Sequence, residues 1–309
     1  MSHDSTIPRR EFLRRGAQAT AGVAVATLPV AAVAEATEPT PAAETGTQAA
    51  ILYDSTLCAG CRACELACAE VNHLQRTPEE ILQGRPYEDS RALSSDVLTY
   101  VTHHEDPKDP SHVAFGKVQC MHCLDPACAA SCPVGALRKT PEGPVAWDGD
   151  LCLGCRYCMM ACPFNIPRFE WQARNPRIRK CDMCRERQLA GHLPACVEAC
   201  PTGALIAGTR AELLAEAHGR ISKHPAQYVD HVFGETEAGG ANVLHIAGLG
   251  FDELGYRCDV APCAYRTYTH PAMAAIPYVL NGLGLALGAV AWMANRRDQV
   301  EDQEPEGEP

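Results

Sequence analysis

Apolar positions follow three patterns along the 309-residue chain. Close to the N-terminus, a soft Ala/Val/Gly run from Gly16 to Val33 follows Pro8-Arg9-Arg10-Glu11-Phe12-Leu13-Arg14. Through the middle, apolar residues come in short bursts: Ile51-Leu52-Tyr53, Val97 to Val101, Val145-Ala146-Trp147 and Val243 to Ala247. These bursts lie among turn-forming residues and predict short strands. Helical periodicity is clearest over Arg210 to Ile221, where Leu213, Leu214, Ala217 and Ile221 share a face and Thr209-Arg-Ala-Glu212 reads as a capping box. Met273 to Met293 then runs 21 residues without a charge. That length crosses a bilayer core despite Pro277 and Asn281, and Gly282, Gly284 and Gly288 suit close packing on another membrane helix.

Cysteine changes this picture most. Sixteen of the 18 cysteines stand in four groups of four. The groups are Cys58, Cys61, Cys64, Cys68; Cys120, Cys123, Cys128, Cys132; Cys152, Cys155, Cys158, Cys162; and Cys181, Cys184, Cys196, Cys200. The first and third have the C-x2-C-x2-C-x3-C spacing of bacterial ferredoxins, in which three thiolates wrap one cubane and the fourth ligates another cluster. Zinc uses C-x2-C pairs, but the triplet, the remote fourth cysteine and the Pro after Cys132, Cys162 and Cys200 are what cubane loops need. Four spaced triplets also disfavour a disulfide framework.

The crossover rule assigns Cys120, Cys123, Cys128 and Cys162 to one 4Fe-4S cluster and Cys132, Cys152, Cys155 and Cys158 to its neighbour. The outer groups then pair Cys58, Cys61 and Cys64 with Cys200, and Cys181, Cys184 and Cys196 with Cys68. Pro133-Val-Gly-Ala-Leu137 and Pro201-Thr-Gly-Ala-Leu205 mark an internal duplication. The predicted fold class is α+β: two nested bacterial-ferredoxin-like modules plus a C-terminal transmembrane helix. The four-cluster domain spans 51–206, with the inner module at about 117–170.

Other chemistry is sparse. His103, His104 and His112 lack metal-ligand spacing and read as part of a solvated loop. His122, between two ligands, reads as a spacer, although a hydrogen bond to sulfur is the alternative. Arg174, Arg177, Arg179 and Lys180 either offset cluster charge or are a solvated run. The Gly-rich stretch 224–255 reads as a docking arm. Cys258 and Cys263 read as a disulfide in an oxidising compartment. Nothing outside the cysteines suggests a catalytic centre.

Charge and address agree. A net charge of -11 argues against nucleic acid. Residues 1–34 have the layout of a twin-arginine signal with Arg9 and Arg10 as the pair; cleavage is expected after Ala34, with Ala36 as the alternative. That route exports folded protein, so clusters assemble in the reducing cytoplasm before thiols can pair. Residues 35–50 read as a linker, 207–272 as a periplasmic extension, 273–293 as the membrane helix, and 294–309 as an acidic cytoplasmic tail. Arg296 and Arg297 place the C-terminus inside and the cysteine block outside.

The four motifs, the leader and the anchor together resemble the four-cluster ferredoxin-like subunits of membrane-bound respiratory oxidoreductases, such as those of dimethyl sulfoxide reductase and formate dehydrogenase. Leu52-Tyr-Asp-Ser-Thr-Leu-Cys58, Gln119-Cys-Met-His-Cys123, Gly154-Cys-Arg-Tyr-Cys-Met159 and Gly208-Thr-Arg-Ala-Glu-Leu-Leu214 are most similar to the iron–sulfur component of periplasmic nickel–iron uptake hydrogenases. The resemblance implies an electron relay between the hydrogenase large and small subunits and a polytopic quinone-reactive membrane subunit, carrying electrons from hydrogen. A relay for a molybdenum-dependent formate or sulfur-compound enzyme, and a zinc-loaded structural anchor, are the rival readings. Ala69 departs from the family pattern, standing where proline follows the other three final cysteines.

Overall fold

The computed structural model describes residues 46–82, 93–174 and 176–301. The leader, most of the linker and the tail beyond 301 lie outside the described residues. The chain divides into two units, 39–268 and a second that contains everything from Thr269 onward.

In the first unit the elements follow the apolar bursts. Strand β1 (Ala49–Asp54) leads into helix α1 (Ala63–Val71), then α2 (Pro78–Leu82). Strands β2 (Tyr100–Asp106) and β3 (Asp109–Val118) come next, then α3 (Ala127–Ala130), β4 (Leu137–Lys139) and β5 (Val145–Trp147). They are followed by α4 (Tyr157–Ala161), β6 (Arg168–Phe169), β7 (Ile178–Arg179), α5 (Arg185–Leu189) and α6 (Ala195–Glu198). Strand β8 (Leu205–Thr209), α7 (Arg210–Lys223) and β9 (Val243–Ile246) close the unit.

Two strand pairs set the positions of the cysteine loops. Strand β1 runs antiparallel to β8, with Ala49 opposite Thr209 and Tyr53 opposite Leu205. The start of the first group is thereby tied to the end of the fourth. Strand β4 pairs with β5, Leu137 opposite Trp147, and ties the end of the second group to the start of the third. Along β1 the side chains alternate between faces. Ile51 and Tyr53 pack in the core that contains Cys64 and Cys196. Ala50 and Leu52 pack under α7, against Leu213, Ala217 and Ile221. Leu52 and Leu244 are fully buried, and each contributes roughly 1.5–3 kcal/mol of transfer free energy. The capping box forms as expected: the Thr209 side chain accepts from the Glu212 backbone, and the Glu212 carboxylate accepts the Thr209 N–H at 3.0 Å.

The structure corrects three readings here. The segment around His103 and His104 is not a solvated loop but strand β2, antiparallel to β3 from Tyr100–Val118 to Asp106–Asp109. The strand also begins at Tyr100 rather than Val97. The period-two pattern continues through Thr102 and Phe115 on either side of the Pro107-Lys108 turn, and polar residues on its exposed face mask it. Residues 224–255 are likewise no free arm. Strand β9 joins the central sheet parallel to β1, Ile51 opposite Val243. Phe233, Val243, Leu249, Phe251 and Leu254 are buried with Tyr53.

Helix α8 (Arg266–Glu301) covers the uncharged stretch and extends past both of its ends. Within it, Ala275–Arg297 has mean hydropathy 1.5 and no buried residue, and is long and apolar enough to cross a membrane. Cys258 and Cys263 form no disulfide: Cys258 is exposed, and the Cys263 thiol donates to the Tyr268 hydroxyl at 3.1 Å.

Candidate functional site

The duplication seen in sequence repeats as backbone geometry. In the first group Gly60 and Arg62 have φ of 64° and 63°; in the third, Gly154 and Arg156 have 68° and 65°. The Gly-Cys-Arg-x-Cys loop therefore turns left-handed twice around its middle cysteine. An arginine in that region is strained and persists only where its surroundings hold it. Arg62 donates to both oxygens of buried Glu65 at 3.0 and 2.9 Å. Arg156 lies over Phe169 and Trp171 at 5.5 and 5.0 Å. In the second and fourth groups the short helices α3 and α6 follow Pro126 and Pro194. Each of these groups leaves through a left-handed glycine, Gly135 or Gly203.

These loops bring the sixteen cysteines into four sets of neighbours. Cys58, Cys61, Cys64 and Cys200 line one cavity with Tyr53, Arg62 and Val101. Cys68, Cys181, Cys184 and Cys196 line another with Ile51, Gln119 and Met183. Cys123 has Cys128, Cys162 and Cys120 around it. Cys158 has Cys155, Cys132 and Cys152. Single thiols also face each other between sets: Cys64 beside Cys196, Cys181 beside Cys120, and Cys128 beside Cys158. Cys61 and Cys155 are exposed.

Burial dominates the thiol electrostatics. It pushes Cys158 and Cys196 up to about 11, with neighbouring cysteines adding to the rise. Cys68, Cys123, Cys128 and Cys181 are raised further for the same reason. Cys200 is the exception. Burial opposes its ionisation, but hydrogen bonds from the Leu205, Thr202 and Ala204 backbone and the Thr202 hydroxyl bring it below the ordinary thiol value. Crowded, buried thiols of this kind suit a cationic inorganic core that replaces their protons, because the ligands of iron–sulfur clusters are thiolates. The donor set is sulfur throughout, in fours, and this fits cubane clusters.

Sequence reasoning passed over several residues at these pockets. Lys117, Lys139 and Lys180 approach the cysteines from inside the protein, and only Lys180 lay in a segment singled out for its charge. Lys180 is buried, with Nζ donating to the carbonyls of Val145 and Cys181, whereas Arg177 pairs with Glu170 at the surface. His122 is fully buried, and its Nδ1 accepts the Val145 N–H at 2.9 Å, tying the second loop to β5. Burial and then Lys180 and Lys139 hold it neutral.

His245 on β9 is a second buried, neutral histidine, with Nδ1 3.0 Å from the Tyr256 hydroxyl. Burial, then Lys117, lowers its pKa from 6.5 to about 3. Between those values the unfolded chain binds a proton that the native one does not, so stability falls as pH falls from 6.5. The slope is about 1.4 kcal/mol per pH unit. Between pH 6.5 and 5, wild-type protein is expected to lose about 2 kcal/mol more than His245→Gln in denaturant unfolding. Equal losses would remove His245 from the account of acid sensitivity.

Loops of this geometry, with thiol quartets drawn from distant parts of one chain, define a ferredoxin-type iron–sulfur protein. Residues 111–210 match the model of the 4Fe-4S dicluster domain. The chain is 40% identical over 255 residues to a protein of Nitratidesulfovibrio vulgaris, covering 82% of this chain and 69% of that one. It is 37% identical over 233 residues to hydrogenase-2 operon protein HybA of Escherichia coli O157:H7, covering 66% and 71%. It is also 34% identical over 214 residues to the nitrate-inducible formate dehydrogenase iron-sulfur subunit of Escherichia coli strain K12, covering 68% and 71%. The chain belongs to the HybA family of iron–sulfur electron-transfer subunits, which is related to the iron–sulfur subunits of formate dehydrogenase.

Proposed function

We propose that the protein is the electron relay of a periplasmic nickel–iron hydrogenase, passing electrons from hydrogen to a quinone-reactive membrane subunit. Four 4Fe-4S clusters are its cofactors. The first is held by Cys58, Cys61, Cys64 and Cys200, the second by Cys68, Cys181, Cys184 and Cys196. The third is held by Cys120, Cys123, Cys128 and Cys162, the fourth by Cys132, Cys152, Cys155 and Cys158. When bound, each cluster exchanges one electron between two oxidation states. The protein's part is to space the sites, exclude water and set the local charge. The cross-set neighbours support the order first, second, third, fourth, with exposed Cys61 and Cys155 at the two ends. A leader carrying Arg9 and Arg10 exports the chain, and Ala275–Arg297 anchors it on the periplasmic side.

The observation that carries this reading is the gathering of all sixteen cysteines into four neighbour sets, in a chain similar to HybA. Anaerobic affinity purification from its native cells tests it. About sixteen irons with matching sulfide per chain are expected, four per cubane. A co-purifying nickel–iron large subunit is expected with them. The likeness to a formate dehydrogenase subunit supports a second reading, the same relay in a molybdenum enzyme, and a molybdopterin subunit in that position would select it. Zinc without sulfide would sink both.

A further inference from the structure

Two lysines stand where a protein interior does not ordinarily keep them. Lys117, at the end of β3, is 1% exposed, and its Nζ donates to Thr99 Oγ1 at 2.6 Å. Its backbone is clamped by Tyr256, whose hydroxyl accepts the Lys117 N–H at 3.0 Å and donates to its carbonyl at 3.2 Å. The side chain lies among Cys64, Cys196 and Cys68, with Glu65 close by. The Glu65 carboxylate is itself held by Arg62 and by the Val101 N–H. Lys180 is 8% exposed, lies among Cys120, Cys128 and Cys181, and has Asp182 near it. One lysine therefore sits between the first and second cysteine sets, the other between the second and third.

A buried ammonium is costly unless an anion compensates it. Lys117 Nζ donates to a hydroxyl and Lys180 Nζ to two backbone carbonyls, none of them an anion, so the ligated cysteines around them, with Glu65 and Asp182 nearby, supply the compensating negative charge. Lys139 makes the contrast. Its Nζ is anchored on the His122 and Cys123 carbonyls, and the cysteines near it, Cys123 and Cys120, belong to a single set. A reduced cluster carries one more negative charge than an oxidised one, so a fixed cation nearby stabilises the reduced form and raises the potential.

Resting on the four-cluster reading above, we propose that Lys117 and Lys180 are fixed cations at the two junctions that raise the reduction potentials of the clusters they adjoin. Lys117 acts on the clusters of Cys64 and Cys196; Lys180 acts on those of Cys181 and Cys120. The cluster of Cys132, Cys152, Cys155 and Cys158 adjoins neither and serves as an internal reference.

The test uses full-length, anaerobically purified protein. Iron and sulfide are measured first, then each cluster's midpoint by redox titration followed by electron paramagnetic resonance. Lys117→Met is expected to lower two midpoints by at least a tenfold change in the reduction equilibrium, 59 mV for a one-electron couple. Lys180→Met is expected to lower two, one of them shared with Lys117→Met, while Lys117→Arg holds the wild-type values. The fourth-cluster midpoint stays put in all three. Fully loaded methionine variants with unmoved midpoints, or with all four midpoints moved alike, would overturn the proposal. So would methionine variants that take up no iron, because the lysines would then serve assembly. Wild-type protein without iron and sulfide would instead overturn the four-cluster reading, and the lysine assignment with it.

Discussion

A Cys200→Ser chain is expected to retain about twelve of about sixteen irons and to lose the cluster of the Cys58 loop. The reason is spatial. Cys200 follows Cys196 by one helical turn, yet it lines the cavity of Cys58, Cys61 and Cys64, while Cys196 lines that of Cys68, Cys181 and Cys184. Serine presents a hard oxygen where iron in a cubane takes soft thiolate. Double variants make the outcome decisive. Cys58→Ser with Cys200→Ser should lose no more iron than either alone, because both remove the same cluster. Cys181→Ser with Cys200→Ser should lose about eight irons, two clusters at four each. If the second pair lost only one cluster and the first pair lost two, the ligand sets would have to follow sequence groups instead. The β1–β8 pairing argues against that, since it holds the end of the fourth group against the start of the first.

Ending the chain after Tyr268 is the second change with a large expected effect. It removes Ala275–Arg297, and the protein is expected to move from the membrane pellet to the soluble fraction with its clusters intact. The division of the chain at Thr269 supports the intact half of this expectation, because the cysteine-bearing unit keeps its own core. A point change should weaken the anchor in the same direction. Leu287→Arg near the middle of the span costs roughly 2.5–3.5 kcal/mol of insertion free energy. Truncated protein that stays in carbonate-washed membranes would end the anchor assignment and leave attachment to a partner subunit instead.

Legibility differed by scale. Local features with a covalent or short-range cause were open to reading. The capping box at Thr209 needs four consecutive residues, and the Gly-Cys-Arg-x-Cys loops need five, so both appear in the chain as in the structure. The β2–β3 hairpin was not legible, because His103, His104 and Glu105 face partly outward and dilute the apolar alternation. Strand β9 was placed correctly as a strand, but its partner was not. A parallel contact between Ile51 and Val243 joins residues far apart in the chain, and nothing in the intervening sequence dictates it.

Spacing of the cysteines along the chain determined what chemistry the protein holds, because ligand number, sulfur donors and tight glycine turns are properties of a few adjacent residues. The amphipathic helix and the apolar C-terminal span belong to the same category. What only the tertiary structure decided is where charge sits inside the cysteine block. In the sequence Lys117 looks like any surface lysine, and Lys180 is one member of a basic run whose other residues stay at or near the surface. The two lysines become buried cations because the β2–β3 hairpin, β9 and the paired loops close over them, and desolvation is a property of the whole packed shell rather than of any segment.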